Sequence, residues 1–167
     1  MPPVKFKQAV QRIGGRLVGP HGFSYAEEMA GFHTFRRLGK SGLVEGIILY
    51  QGHPVPPARS PEDPPQGPRG FTIEIGVVPE TSRFGFSMPG ESGNWREFGL
   101  RERLGVILHG DVYEGSSFER DFFFYGDQRS LEEQLARTLS LALERGPLVW
   151  LQMAERLMSA EPDSGED

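Results

Sequence analysis

The chain has 167 residues, 37% of them hydrophobic, and a formal net charge of -5. That length suits one domain able to bury a real core. It holds no cysteine, which excludes disulfides, thiolate catalysis and Cys-ligated metal.

The charge is unevenly placed. The last seven residues, EPDSGED, carry Glu161, Asp163, Glu166 and Asp167 and no base. Without those four acids the chain holds 19 acids against 18 bases, a balance of -1. Residues 160–167 therefore read as a disordered acidic tail, and residues 1–159 as a single, nearly neutral domain. No dense basic patch appears, so nucleic acid is not an expected partner. No run approaches the roughly 20 apolar residues of a membrane span. The start, MPPVKFKQAV, lacks the apolar stretch of a signal peptide, so a cytoplasmic location is expected.

Phe6, Val10, Ile13 and Leu17 fall at steps of four, three and four, which predicts one apolar face of a helix over residues 4–17. Gly19-Pro20 stops it. Residues 32–38 predict a strand, GKSG at 39–42 a turn, and residues 43–51 a second strand, together an antiparallel hairpin. Residues 53–69 hold seven prolines. Proline lacks the N–H donor, so this stretch reads as an inserted loop.

From Phe71 the pattern alternates cleanly. Phe71, Ile73, Ile75 and Val77 point one way and Thr72 and Glu74 the other. That predicts a half-buried strand with one wet face. Leu100, Leu104 and Leu108 recur at every fourth position, which predicts a short helix within residues 95–108, interrupted by Gly105. FERDFFFYG at 118–126 predicts a strand covered on both faces.

Ser130 and Glu133 have capping-box spacing, and Leu131, Leu135, Leu139 and Ala142 continue as a stripe. Gly146 suits a helix end and Pro147 a helix start. Leu148, Leu151, Ala154 and Leu157 would then line a second helix. The implied fold is α+β: an antiparallel sheet of three to five strands, with an N-terminal helix and a C-terminal helix pair packed on one face.

Four residues form a candidate polar cluster: Arg101, Arg103, His109 and Asp111. Arginine offers a bidentate fork for phosphate. On a helix, however, positions 101 and 103 project about 200° apart and do not converge; a structural ion pair is the expected role. HGDVYEGS at 109–116 resembles the catalytic loop of aminoglycoside phosphotransferase and choline kinase-like enzymes, which would make Asp111 the proton acceptor. Ser116 stands where that loop needs asparagine, and no glycine-rich nucleotide loop with its lysine precedes it. The expectation is a turn that ends a helix. The histidines, His21, His33, His53 and His109, form no paired metal-ligand spacing. No catalytic set, cofactor or metal is expected.

Across residues 4–157 the chain resembles the bacterial domain-of-unknown-function family 4304. The resemblance rests on order: a helix running into His21-Gly22-Phe23, a hairpin with Phe35-Arg36-Arg37, and a strand with a late glycine, Phe71 to Val77. An arginine-rich segment, Leu100-Arg101-Glu102-Arg103-Leu104-Gly105, and closing helices follow. The resemblance implies a fold and no reaction. A non-catalytic protein-binding module is therefore the expected function. The alternatives are an immunity or antitoxin-like protein and a small enzyme using residues 101–111.

Overall fold

The computed structural model describes residues 5–29, 31–52, 69–80, 99–110, 115 and 117–159. The chain is α+β. An N-terminal helical run comprises α1 (Phe6–Ala9), a wider π-helical stretch (Val10–Gly14), α2 (Gly15–Val18) and a 3-10 turn (Gly19–His21). Strands β1 (Ser24–Met29), β2 (Phe32–Leu38), β3 (Val44–Gly52) and β4 (Arg69–Val78) follow. Next come β5 (Leu100–Arg103), α3 (Leu104–His109), α4 (Ser117–Asp121), β6 (Phe123–Tyr125) and α5 (Gln128–Ser159).

All strand pairings are antiparallel, in the order β1-β2-β3-β4-β5. Strand β6 joins the same sheet by pairing the start of β4, Arg69 to Phe71, whereas β5 pairs Glu74 to Val77. Among the described residues the sheet thus has six strands, one more than the upper bound read from the sequence. Two strands are unexpected: β5, which reads as helix in the sequence, and β1. The β1 sequence, Ser-Tyr-Ala-Glu-Glu-Met, shows no apolar alternation, because an edge strand with solvent beside it does not require one.

Alternation sets the core. Phe35, Ile47, Leu49, Phe71, Ile73, Ile75 and Val77 are buried against Phe6, Val10 and Ile13 and against Leu131, Leu135 and Leu139 of α5. The opposite sheet face is not wet. Thr34, Ile48 and Thr72 are fully buried there and Glu74 is 8% exposed, and Val44, Ile48 and Val78 form a second apolar cluster. The period-2 pattern identified the strand correctly and mistook a polar face for a solvated one.

The largest departure lies at the C-terminus. Residues 128–159 form one continuous helix with Pro147 inside it, in place of the expected pair. Pro147 is exposed and gives up a single backbone donor. Gly146 does not end the helix; it seats Trp150. A Cβ at Gly146 would lie 2.5 Å from the Trp150 ring, one turn along. Because the helix is unbroken, its buried stripe runs through Ala142, Gly146, Trp150, Met153 and Leu157. Leu148 and Leu151 fall on the other face and are 61% and 56% exposed. The helix start also differs: Asp127 Oδ1 accepts the Ser130 N–H at 2.8 Å, so Asp127 caps the helix and Ser130 lies in its first turn.

No helix among the described residues is long and apolar enough to cross a membrane.

Candidate functional site

Two regions concentrate chemistry. The first contains the arginines singled out in the sequence. Leu100 to Arg103 form a strand, not a helix, and this reverses the expected geometry. On a strand, residues two apart share a face, so Arg101 and Arg103 point the same way. Register places Arg103 opposite Glu74 and Arg101 opposite Gly76. Both arginines reach Glu74: Arg101 Nε lies 3.3 Å from Oε1, and Arg103 Nε lies 3.9 Å from Oε2. The leucine spacing that suggested a helix belongs to the end of β5 and to α3.

Arg103 also donates from its two terminal nitrogens, to Asp121 Oδ2 at 3.0 Å and to the Tyr50 hydroxyl at 3.3 Å. Tyr50 in turn donates to Glu74 Oε2 at 3.1 Å. Asp121 is 2% exposed and accepts a fork from Arg120, at 2.6 Å on Oδ1 and 3.1 Å on Oδ2. Thr72 Oγ1 donates to the Asp121 carbonyl at 2.7 Å. Three arginines thus serve two buried carboxylates. Burial pushes the Asp121 carboxyl up, but the hydrogen bonds from Arg120 and Arg103 outweigh it and hold the group below its ordinary range. Burial and the neighbouring Glu74 push the Tyr50 hydroxyl up, so it stays protonated and donates.

This cluster ties β5 and α4 to β4. Arg101 and Arg103 converge, as the helical reading denied, but they converge on the protein's own carboxylates. The structural ion pair expected for them is what the geometry contains. His109 is exposed at the far end of α3. Asp111 lies outside the described residues, as do residues 53–68, 81–98 and 160–167 and therefore His53. His33 is buried beside Tyr25, with Nδ1 and Oη 2.7 Å apart. Among the described residues, no three His, Asp or Glu side chains gather as a metal set.

The Asp121 pairing has a measurable consequence. Asp121→Asn keeps the shape and removes the charge. It should cost about 2–3 kcal/mol at pH 7, below the full value for a broken buried pair because Arg103 is partly solvated. The folded-state pKa lies below the ordinary value of 3.8. The contribution is therefore present above that value and lost as pH falls through the folded pKa. Urea denaturation of both proteins at pH 7 and at pH 3 checks this: the gap should narrow at the lower pH. A constant gap would refute the assignment.

The second region is a cleft of about 620 Å3 between the β2–β3 turn and the last third of α5. Trp150 lies at its base, and Leu38, Pro147, Leu151 and Ala154 form apolar walls. Trp150 is buried and donates Nε1–H to the Gly46 carbonyl at 3.4 Å. Arg37 lies across two rings, its Cζ 4.4 Å from the Phe23 centroid and 5.0 Å from that of Trp150. Arg37 Nε donates to Glu45 Oε1 at 2.7 Å, its cross-strand partner, and NH1 donates to the His21 carbonyl at 2.8 Å. These bonds fix the guanidinium as a rigid plate.

No family model matches the chain, and neither a curated protein nor a solved structure does. The site stands on its geometry. Sequence reasoning missed the cleft because it turned Leu148 and Leu151 inward and gave Trp150 no role. The usable signal was the period: carried unbroken from Leu131, a 3.6-residue repeat reaches Trp150 and leaves both leucines outside.

Proposed function

We propose that the chain is a non-catalytic protein-binding module acting in the cytoplasm, and that the cleft between the β2–β3 turn and α5 is its binding surface. One observation carries this reading. Large apolar side chains stand exposed on both walls of the cleft, Leu38 at 64% at the end of β2 and Leu151 at 56% on the helix. Isolated exposed leucines are ordinary, whereas apolar side chains grouped along a concave site favour an interaction surface. Covering each leucine is worth about 1.5–3 kcal/mol before the costs of association. The arginine cluster supports the same reading, since its ion pairs commit Glu74 and Asp121 to internal arginines. The resemblance to an uncharacterised family brings no competing activity.

The test is site-specific cross-linking in cells of the source organism. A photoreactive residue replacing Leu151 should yield a defined adduct with one protein. The same residue replacing Arg137, exposed on the first half of α5, should not. Equal labelling from both positions, or none from position 151, would refute the proposal.

A further inference from the structure

The cleft carries charge as well as apolar surface, and this narrows what it receives. Of its lining residues, Arg37 and Lys40 are cationic and Glu45 is anionic. Among the described residues the lining therefore carries one surplus positive charge in a chain of net charge -5. Glu45 is already neutralised by Arg37 at 2.7 Å. Lys40 is exposed on the β2–β3 turn and has no ion pair among the described residues. It is the cation a ligand meets.

A second copy of the chain fits this surface poorly. Leu148 and Leu151 are bracketed on α5 by Glu144 and Glu155, each exposed. Antiparallel pairing that sets Leu148 opposite Leu151 sets Glu144 opposite Glu155. Parallel pairing sets each glutamate opposite its own copy. Both arrangements bury like charges together.

We propose that the cleft takes a segment of a partner protein bearing a large apolar side chain beside a carboxylate. The apolar group enters over Trp150, between Leu38 and Leu151. The carboxylate lies toward Lys40, on the β2–β3 side of the cleft; Glu155, one turn beyond Leu151 on α5, lines the adjoining groove with Val149 and Met153. This inference rests on the protein-binding reading and specifies its partner.

Three fluorescein-labelled peptides test it by anisotropy against the full chain. The first has a central phenylalanine followed by two glutamates; the second replaces the glutamates with lysines; the third keeps the glutamates and replaces phenylalanine with alanine. The first should bind best, the lysine peptide about 3–10-fold more weakly, and the alanine peptide negligibly. Lys40→Glu, on an exposed turn, should reverse the order of the two phenylalanine peptides. No binding, no preference between them, or an order unchanged by Lys40→Glu would overturn the inference. If the cross-link from position 151 survives such a result, the protein-binding reading stands and only the partner chemistry is wrong. If it fails too, both fall. A concentration-dependent dimer in sedimentation velocity that Leu151→Asp abolishes would assign the surface to a second copy and also overturn the inference.

Discussion

Gly105→Ala is expected to destabilise the protein by about 3 kcal/mol, the upper end for a clash in packed surroundings. In an ordinary helix the same substitution would stabilise by roughly 1 kcal/mol, because glycine is the poorer helix former. The sign is reversed here by contact. A Cβ at Gly105 would lie 2.0 Å from the Arg120 carbonyl oxygen and 2.9 Å from the Asp121 Cα. Both obstacles are backbone and neither can rotate aside. The first turn of α3 must therefore move off α4, which carries Asp121 away from Arg103. Thermal melts should show a midpoint lower by about 6–12 °C for a chain of this size. The double variant with Asp121→Asn should fall short of the sum of the singles, since both break one contact. A neutral or stabilising Gly105→Ala would mean that α3 and α4 do not touch in this way.

Trp150→Ala is expected to cost about 3–5 kcal/mol in urea denaturation. Trp150 is 1% exposed. It packs on Phe23 with ring centroids 5.5 Å apart, supports Arg37 and bonds the Gly46 carbonyl. Removing the ring leaves a cavity beside an arginine that keeps its bonds to Glu45 and His21 and its place over the Phe23 ring. Trp150→Phe retains much of the packing and loses the indole donor, for a cost of about 1–2 kcal/mol. The two variants separate the contributions of volume and hydrogen bonding. Because the same residue lies at the base of the cleft, Trp150→Phe should also weaken partner capture while the protein remains folded.

How much of this was legible in the sequence depends on whether local pattern and tertiary surroundings agree. They agree for the N-terminal helix, the β2–β3 hairpin, the buried face of β4 and the start of α5, where apolar residues recur with the period of the element they form. They conflict at Leu100 to Leu108, where leucines four apart imitate a helix although half the segment is a strand zipped to Glu74–Val77. The result matters for the site, because helix and strand give opposite answers about whether Arg101 and Arg103 meet. They conflict again at Gly146-Pro147. That pair has the chemistry of a helix junction, but the Trp150 ring needs the space a side chain would fill. Propensity is a weak prior there, and packing overrides it. The polar face of β4 misled differently. Thr72 and Glu74 look solvated, yet each has a partner, the Asp121 carbonyl for Thr72 and Tyr50 for Glu74. Partners brought together from distant parts of the chain leave no local trace.

Binding through the cleft and a structural role for the arginine cluster predict different outcomes for two single exchanges. The most direct test compares the two on partner capture, with folding checked by circular dichroism. Leu151→Asp changes an exposed residue on the cleft wall, whereas Arg101→Lys alters the cluster and keeps its charge. Quantitative recovery of the cross-linked or affinity-purified partner should fall at least tenfold for Leu151→Asp, equivalent to about 1.4 kcal/mol, and stay at the native level for folded Arg101→Lys. The opposite pattern, with capture intact in Leu151→Asp and lost in Arg101→Lys, would contradict the account and move the functional surface to the arginines.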